Sequence, residues 1–486
     1  MSALAAQPAS AAAKPAGTAA ADRVPLPAML ACGAGQAVDN TAIYLPKGMA
    51  SPVFNMTLGI APSQLSFLFM FFRLWEAFTD PIIGWISDQT RSRFGRRKPY
   101  ILIGGILTGL AFPLMWFVPR TWSPGAMVWW LLVTGLILYT CFTVWAIPYG
   151  GLVTELTRDY DERSRVSAMR MYFARGATLA IGWAWAFTQL PWFNNLVTGK
   201  PDTLTGMRTL SIIVGAVLVV CAILPVFFAK EERYADAVAG GKTPFWTSIG
   251  QTMKNRPFLI LIGVMMFYAA GIWTTGGLTI YLVRYHVYAG DAKAASIMTG
   301  WVATVGNLVG LFSVPVFTKV CIKIGKTRTL FLSILITAAS SLVTWVTYSP
   351  EWPWLMLISA VLSAVGNVVM FIALPAMCMD VVDYDELHTG KRREGIYSAA
   401  FGWWIKCGAA VGFGLTGPLL EWTGFLASLG ANQTPQAIFR LRVIFAILPV
   451  VALLSSLVLL RFYKLSRIRM DEIRHELEQR HATTPA

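Results

Sequence analysis

The chain has 486 residues, of which 56% are hydrophobic and only 13% are charged, and its mean hydropathy is +0.57. Soluble domains carry about 25% charged residues, so this composition excludes a soluble protein and requires lipid around much of the surface. The net charge of +15 does not indicate nucleic-acid binding, because the basic residues are grouped in alternate loops, as the positive-inside rule predicts.

Twelve apolar stretches long enough to cross a bilayer follow one another along the chain. We predict spans at 27–46, 62–87, 99–118, 126–150, 168–190, 208–229, 258–283, 295–318, 328–348, 353–378, 395–422 and 438–462. The predicted organisation is a disordered tail (1–22), a six-span half (23–229), a linker (230–257), a second six-span half (258–462) and a tail (463–486) whose interleaved charges indicate a solvated or lipid-surface helix. The cysteines all lie in apolar stretches and are interpreted as core residues: Cys32, Cys141, Cys221, Cys321, Cys378 and Cys407.

The basic loops follow the second, fourth, eighth, tenth and twelfth spans, whereas the loops on the other side hold only scattered cations. Both termini are therefore predicted to be cytoplasmic, in an integral, multi-pass protein of the plasma (inner) membrane. The sequence Asp-Tyr-Asp-Glu at 159–162 recurs at 383–386, and the Gly95-Arg96 turn recurs as Gly325-Lys326. Two repeated six-span halves predict an all-α major facilitator architecture of twelve transmembrane helices, with its site at mid-membrane between the halves.

Span two contains charges at a depth where lipid does not tolerate them. Arg73, Glu76 and Asp80 are spaced i, i+3, i+7, which places all three on one helical face. A charge at the bilayer centre costs at least about 2.5–3.5 kcal/mol, so this face must line the interior of the bundle. The hydroxyls of Thr79 and Thr143 would complete an oxygen shell for Na⁺.

The charges in the spans do not balance within the sequence. Asp39 in span one and Lys406 in span eleven, added to the three charges of span two, leave one excess negative charge. An unpaired buried carboxylate takes up a proton or binds a cation, so the sum favours cation coupling, by Na⁺ or by protonation of Glu76. The structural alternative is an internal ion pair that only holds helices together.

Charged groups in two loops indicate gates on the cytoplasmic side. Such groups can form latches that close this side and release during transport, although the simpler reading is a topology anchor. The gating candidates are Gly84, Asp88, Gly95, Arg96 and Arg97 in the first half and Asp383, Asp385, Glu386, Arg393 and Glu394 in the second.

Aromatic residues near the candidate polar groups could stack on the C–H face of a sugar, with plain packing as the alternative for each. They are Trp145, Tyr149, Trp273, Trp403 and Trp404.

Several motifs together resemble the glycoside–pentoside–hexuronide:cation symporters. The second-helix motif is Arg-Leu-Trp-Glu-Ala-Phe-Thr-Asp-Pro at 73–81, and the basic loop motif at 90–99 continues it. Ile-Pro-Tyr at 147–149, Asp-Glu-Arg at 161–163 and Arg-Met-Tyr-Phe at 170–173 fit the fourth and fifth helices. Asp-Val-Val-Asp-Tyr at 380–384 and Arg-Glu-Gly-Ile at 393–396 fit the loop before helix eleven, so the resemblance covers residues 27–465.

The resemblance implies roles for individual residues. Glu76 and Asp80 stand at the family's cation-binding carboxylates, with Thr79 and Thr143 as neutral cation ligands. Asn40, or else Asp39, falls where helix one offers a sugar-binding acid. The full set of expected solute-binding residues is Asp39, Asn40, Arg73, Trp145, Tyr149, Arg170, Trp273, Trp403 and Lys406.

The chain also departs from the pattern of the melibiose permease within this family. Ala146 and Gly150 replace its sugar-binding Asp and Trp, and Glu76 replaces the commoner Asp. These departures argue against a galactoside and make coupling to H⁺ rather than Na⁺ plausible.

We therefore expect a monomeric, cation-coupled symporter of a sugar or glycoside-like solute that works by alternating access, with no cofactor beyond the coupling ion. A carrier of a lysolipid or other amphiphile, or an exporter, is the alternative on the same fold. A polytopic membrane enzyme is not expected, because no zinc or phosphate motif is present and the histidines are scattered: His286, His388, His475 and His481.

Overall fold

The computed structural model describes residues 23–157, 159–196, 198–230 and 245–483, and the secondary structure in these ranges is almost entirely helical. The predicted tail at 1–22 and much of the predicted linker lie outside the described residues. The α-helices are α1 (Leu26–Ala50), α2 (Pro62–Gln89), α3 (Lys98–Leu114), α4 (Pro124–Glu155), α5 (Tyr160–Thr188), α6 (Thr203–Phe228), α7 (Phe245–Thr252), α8 (Arg256–Tyr281), α9 (Ala292–Ile324), α10 (Lys326–Thr347), α11 (Met356–Thr389), α12 (Glu394–Trp422), α13 (Pro435–Leu460) and α14 (Arg467–Thr483).

Predicted spans one to six fall on α1–α6, and spans seven to twelve fall on α8–α13. Several helices are longer than the spans, because a helix ends at its caps and not at the edge of the bilayer. The side chain of Asp159 caps α5 by accepting from the amide of Glu162, so the helix begins at Tyr160, eight residues before the predicted apolar stretch at 168. Helix α11 continues past the predicted end at 378 until Gly390, whose φ of 67° stops it.

Seven of the described helices are long and apolar enough to cross a membrane by length and composition. They are α4, α6, α8, α9, α10, α11 and α13. Helix α2, which carries Arg73, Glu76 and Asp80, falls outside this group because these charged residues lower its mean hydropathy. The total of twelve transmembrane helices, like the domain boundaries, therefore stays a prediction from the sequence.

The helices form two groups with the same internal order. In the first group α1 packs on α5 and α6, and α3 packs on α4 and α6; in the second, α8 packs on α12 and α13, and α10 packs on α11 and α13. The groups meet through α2 against α12 and through α5 against α9. Each of these pairs joins the second helix of one group to the fifth helix of the other, which is the symmetry expected of two repeated halves.

The contacts between the halves lie at mid-depth and toward one face. We call the face with the α2–α3, α4–α5, α9–α10 and α11–α12 connections the terminal face, and the other the opposite face. Near the opposite face the amide of Ser63 on α2 donates to Glu421 Oε1 on α12 at 2.9 Å. On the other seam Trp183 Nε1 of α5 donates to Thr304 Oγ1 of α9 at 2.9 Å. The structure therefore has its opposite face closed.

A glycine makes this closure possible. A Cβ placed on Gly417 of α12 would lie 2.1 Å from the carbonyl oxygen of Pro62 on α2. We expect Gly417→Ala to destabilise the closed opposite face by about 1–3 kcal/mol through overpacking. A cysteine introduced at Ser63 should then react faster with an impermeant maleimide added on that side.

Gly402→Ala on the same helix is the matched control, because a Cβ at Gly402 meets nothing within 4 Å. Equal maleimide rates in the two variants would contradict the role given to Gly417.

The predicted tail helix, α14, is not simply solvated. Its residues Met470, Ile473 and Leu477 are buried against the second half, and Arg474 Nη2 pairs with Asp380 Oδ1 of α11 at 3.0 Å. The expectation of a solvated or lipid-surface helix was wrong for this face, because three apolar residues spaced i, i+3 and i+7 stand among the charges that dominate the sequence.

Candidate functional site

The candidate site is built around the charged face of α2. Arg73 and Glu76, one turn apart, form an ion pair, and both are buried, with Glu76 only 1% exposed. The face points into the bundle, as its spacing predicts, because α2 packs between α4 of its own half and α12 of the other. Glu76 therefore lies beside a fixed cation inside the bundle and not in lipid.

Lys406 joins this cluster from the other half. Its Nζ donates to Glu76 Oε1 at 2.6 Å and also to Asp80 Oδ2. Trp403, one turn earlier on α12, donates its indole N–H to the carbonyl of Ala77 at 3.1 Å. The predicted residues of spans two and eleven thus meet at the α2–α12 seam between the halves.

One oxygen of the cluster is left without a partner. Asp80 Oδ1 is buried and accepts no hydrogen bond from the described residues, while Oδ2 is held by Lys406. A buried carboxylate oxygen with no donor is costly, and Asp80 lies at the movable seam rather than deep inside one half. This oxygen is the free acceptor of the site.

The charges of the cluster balance more fully than the sequence sum suggested. Arg73 and Lys406 already offset Glu76 and Asp80 by direct contact. The excess negative charge is therefore that of Asp39, which lies within electrostatic reach of the cluster and also of Arg170. Counting Arg170, which the sum omitted, the whole group is neutral.

Gln36 links Arg170 to Asp39, and nothing in the sequence marks this residue beyond its polar side chain in a span. Gln36 Nε2 donates to Asp39 Oδ2 at 3.0 Å, and Arg170 Nη2 donates to Gln36 Oε1 at 2.5 Å. The Asn40 amide instead joins α1 to α5, donating to the carbonyl of Ala174 at 3.2 Å and to Thr178 Oγ1 at 3.3 Å. Of the two residues proposed in helix one, Asp39 keeps more acceptor capacity for a solute.

The hydroxyls of Thr79 and Thr143 meet where α2 packs on α4. Thr79 Oγ1 on α2 is 3.4 Å from Thr143 Oγ1 on α4, and it donates to the carbonyl of Trp75 at 3.0 Å. Thr143 is fully buried. Hydroxyl and carboxylate oxygens are the ligands that hard cations prefer, so the residue types at this position fit Na⁺ as well as a proton.

The helix-four aromatics are packed away from open space. Trp145 is 0% exposed and stacks on Tyr149 with 4.7 Å between ring centroids. The Trp145 indole N–H donates to the carbonyl of Ala222, and the Tyr149 hydroxyl donates to the carbonyl of Cys32 at 2.5 Å. The packing alternative accounts for both residues in this structure, whereas a Cβ on Gly150 would meet only open space.

The remaining aromatics lie nearer the seam. Trp403 and Trp404 on α12 contact each other edge to face, with 5.1 Å between centroids. Trp404 Nε1 is buried without a hydrogen-bond partner among the described residues. Trp273 on α8 is half-buried and packs at 6.3 Å from the Phe413 ring.

At the terminal face, the first predicted latch contains an acid that the sequence analysis missed. Glu155, at the end of α4, pairs with Arg96 Nη2 at 2.7 Å and with Arg97 Nη1 at 2.8 Å, and Arg97 Nη2 also pairs with Asp88 Oδ1 at 3.2 Å. Gly95 has a φ of 99° and so makes the turn that presents both arginines. These pairs join α2, α3 and α4 within one half.

The second predicted latch also forms inside its own half. Arg393 makes a bidentate pair with Asp385, at 2.6 and 2.8 Å, across the α11–α12 connection. Arg392 contacts Asp383 at 3.8 Å and Glu394 at 3.6 Å. Gly84 does not need to be glycine for packing here, since an added Cβ would be 3.5 Å from Ile147. The gating roles stay predictions.

Comparison with known proteins agrees with this architecture. Residues 33–467 match the family model described as MFS/sugar transport protein. The isoprimeverose transporter of Lactiplantibacillus pentosus is 26% identical over 430 residues, covering 88% of this chain and 86% of that protein. The glucuronide carrier protein homolog of Escherichia coli (strain K12) is also 26% identical, covering 92% of this chain and 94% of that protein.

Two further similarities concern the lipid-carrier alternative and the fold. A sphingosine-1-phosphate transporter of Xenopus tropicalis is 25% identical, covering 86% of this chain and 83% of that protein. A solved structure of a bacterial homolog of the human lysosomal transporter Spinster superposes with a TM-score of 0.66 at 15% sequence identity, covering 94% of this chain and 98% of that chain. It shows the fold alone.

These matches confirm the resemblance drawn from the helix-two and loop motifs, and they exclude the membrane-enzyme alternative, because the family and the relatives are transporters. The chain is an integral, multi-pass membrane transporter that belongs to the MFS/sugar transport family, in its glycoside–pentoside–hexuronide symporter branch.

Proposed function

We propose that this protein is a secondary symporter that couples H⁺ or Na⁺ to the uptake of a sugar or glycoside-like solute by alternating access. The observation that carries the proposal is the buried Asp80 carboxylate, which has one unpartnered oxygen and one oxygen held by Lys406 across the seam between the halves. The orientation with cytoplasmic termini in the plasma membrane, and a monomeric state, belong to the same proposal.

In this proposal the Lys406 ammonium occupies the position of the coupling ion when no ion is bound. With no ion bound, its ammonium neutralises Glu76 and Asp80, so the closed seam holds no uncompensated charge. A proton or Na⁺ that binds at Asp80, starting from the unpartnered Oδ1, offsets the carboxylate charge and so competes with Lys406 for pairing with Asp80. Ion binding therefore changes a contact that joins α2 to α12, and this links the ion site to the movement of the halves.

Lys406 released by the ion can serve the solute. Its Nζ, together with Asp39 and the unpartnered indole N–H of Trp404, would then offer hydrogen bonds to sugar hydroxyls at mid-membrane. Ion and solute would each favour the same rearranged seam, so each should raise the affinity of the other, as linkage requires for binding.

The choice between H⁺ and Na⁺ depends on the oxygen set. A proton needs only Asp80 Oδ1, whereas Na⁺ would use the carboxylates with the hydroxyls of Thr79 and Thr143. Uptake into proteoliposomes under separately imposed pH and Na⁺ gradients decides between them, with a panel of glycosides, pentosides and uronides. We expect accumulation of at least one solute with one of the gradients, and solute equilibration without it. Gradient-independent uptake of every transported solute would contradict coupling.

A lysolipid or amphiphile carrier is the second candidate, favoured by the 25% identity to the sphingosine-1-phosphate transporter. The same proteoliposomes, assayed by extraction of a labelled lysophospholipid from one leaflet, test it. Ion-dependent movement of the lysolipid, with no sugar in the panel transported, would replace the sugar proposal.

A further inference from the structure

Arg175 on α5 is a half-buried cation that the proposed cycle does not use. It lies in predicted span five, and the described residues supply it with no carboxylate, hydrogen bond or aromatic ring. The charged group around Lys406 is neutral once Arg170 is counted, so it leaves no excess negative charge to offset Arg175. A cation within a membrane span is rare and faces the bundle interior or a water-filled cavity, which makes Arg175 a candidate for a functional site.

The guanidinium of Arg175 reaches from the first half into the second. Its Nη1 lies 3.5 Å, and its Cζ 3.7 Å, from the position that a Cβ on Gly310 of α9 would occupy. The same position is 3.5 Å from Val368 Cγ2 of α11. Arg175 is thus directed toward the space between α9 and α11, at the α5–α9 seam and not at the α2–α12 seam of the carboxylates.

Two amides stand on the helices that flank this guanidinium. Asn307 lies one turn before Gly310 and donates through Nδ2 to the carbonyl of Ala303 at 2.8 Å. Asn367 adjoins Val368, but its amide is engaged within the second half, since Nδ2 donates to the carbonyl of Ser363 at 2.8 Å and Oδ1 accepts from the hydroxyl of Tyr268 on α8. The glycine at 310 leaves room for the guanidinium, so the seam combines a cation, the neighbouring Asn307 amide and space.

We propose that Arg175 binds an anionic group of the transported solute, a carboxylate or a phosphate, at the α5–α9 seam. This inference rests on the proposed symport function and narrows its solute from sugar-like to negatively charged. The solute would then bridge both seams, with its hydroxyls toward Lys406 and Asp39 and its anion on Arg175. Arg175 forms charge-assisted hydrogen bonds with such a group, which a neutral glycoside cannot supply.

Thermal unfolding of the purified protein with matched solutes tests the inference. The probes are methyl glucuronide, glucose 6-phosphate and the neutral methyl glucoside, and the proteins are wild type, Arg175→Gln and Arg175→Lys. In wild type, an anionic probe should bind at least about tenfold more tightly than methyl glucoside. Arg175→Gln should remove this preference, and Arg175→Lys should keep part of it. The probe that is preferred distinguishes a carboxylate from a phosphate.

Arg440→Gln is the matched control, since Arg440 lies on α13 against Trp422, away from both seams. Equal binding of neutral and anionic probes in wild type, or a preference that survives in a folded Arg175→Gln, would overturn the inference. Ion-driven uptake of neutral glycosides with unchanged kinetics in Arg175→Gln would overturn it while leaving symport intact. Absence of any ion-driven uptake in wild type would instead refute the proposed function.

Discussion

Replacing Asp80 by Asn is expected to abolish gradient-driven accumulation of solute while solute exchange continues. Asn is nearly the same size, so the seam still closes, but the variant holds Arg73 and Lys406 against Glu76 alone. The cluster then has a fixed excess positive charge, and neither a proton nor Na⁺ finds a carboxylate at this position. Proteoliposome uptake should fall to the equilibrium level, a loss of at least about tenfold in accumulation ratio if about 1.4 kcal/mol of coupling is removed.

Counterflow is the companion measurement, because it needs movement of the loaded site but no ion gradient. Asp202→Asn is the matched control: Asp202 caps α6 near the opposite face and pairs with Arg120, far from the seam. Full accumulation in Asp80→Asn would refute the assignment of the cation site. Loss of counterflow together with accumulation would place Asp80 in solute binding or folding instead.

The orientation of the α2 face could be predicted because a helical face that carries three charges cannot contact lipid and must face the interior of the bundle. The sequence did not reveal which cations meet which acids, since that depends on how α12 and α5 pack. A charge sum over single residues includes Lys406 but not its contacts, and it omits Arg170, which offsets the charge of Asp39 and is linked to it by Gln36. The sum therefore selects residues that the structure brings together, but it gives the wrong balance of charge.

The aromatic candidates show the same limit. Trp145 and Trp403 look alike in sequence, each beside polar residues in an apolar span. In the structure Trp145 is enclosed by α3 and α6, with Gly104 and Gly105 against it, whereas Trp403 spans the seam to Ala77. The environment of an aromatic residue is set by the glycines and short side chains of neighbouring helices, which one sequence does not pair. For the same reason Arg175, opposite a glycine 135 positions further along the chain, gave no signal.

Lys406→Met is expected to destabilise the protein and, at the same time, to strengthen ion binding. Removing one partner of a buried ion pair costs about 3–5 kcal/mol, because the other charge stays buried. In this variant Glu76 still pairs with Arg73, so Asp80 is the carboxylate that is left without a cation. The free energy of unfolding should therefore fall, and an ion that replaces the ammonium should restore it. Thermal unfolding across a Na⁺ series and a pH series measures both effects.

A double-mutant cycle with Asp80→Asn isolates the contact between the two residues. Lys406→Met in the Asp80→Asn background should cost less than in wild type, with a coupling of about 0.5–3 kcal/mol. Lys293→Met, at the solvent-exposed start of α9, should show neither effect. These measurements distinguish two roles for Lys406. A lysine that only clamps α2 to α12 would lower stability equally at every ion concentration. A lysine that holds the place of the coupling ion must leave behind a site that the ion binds more tightly, by about tenfold or more, once the competing ammonium is gone.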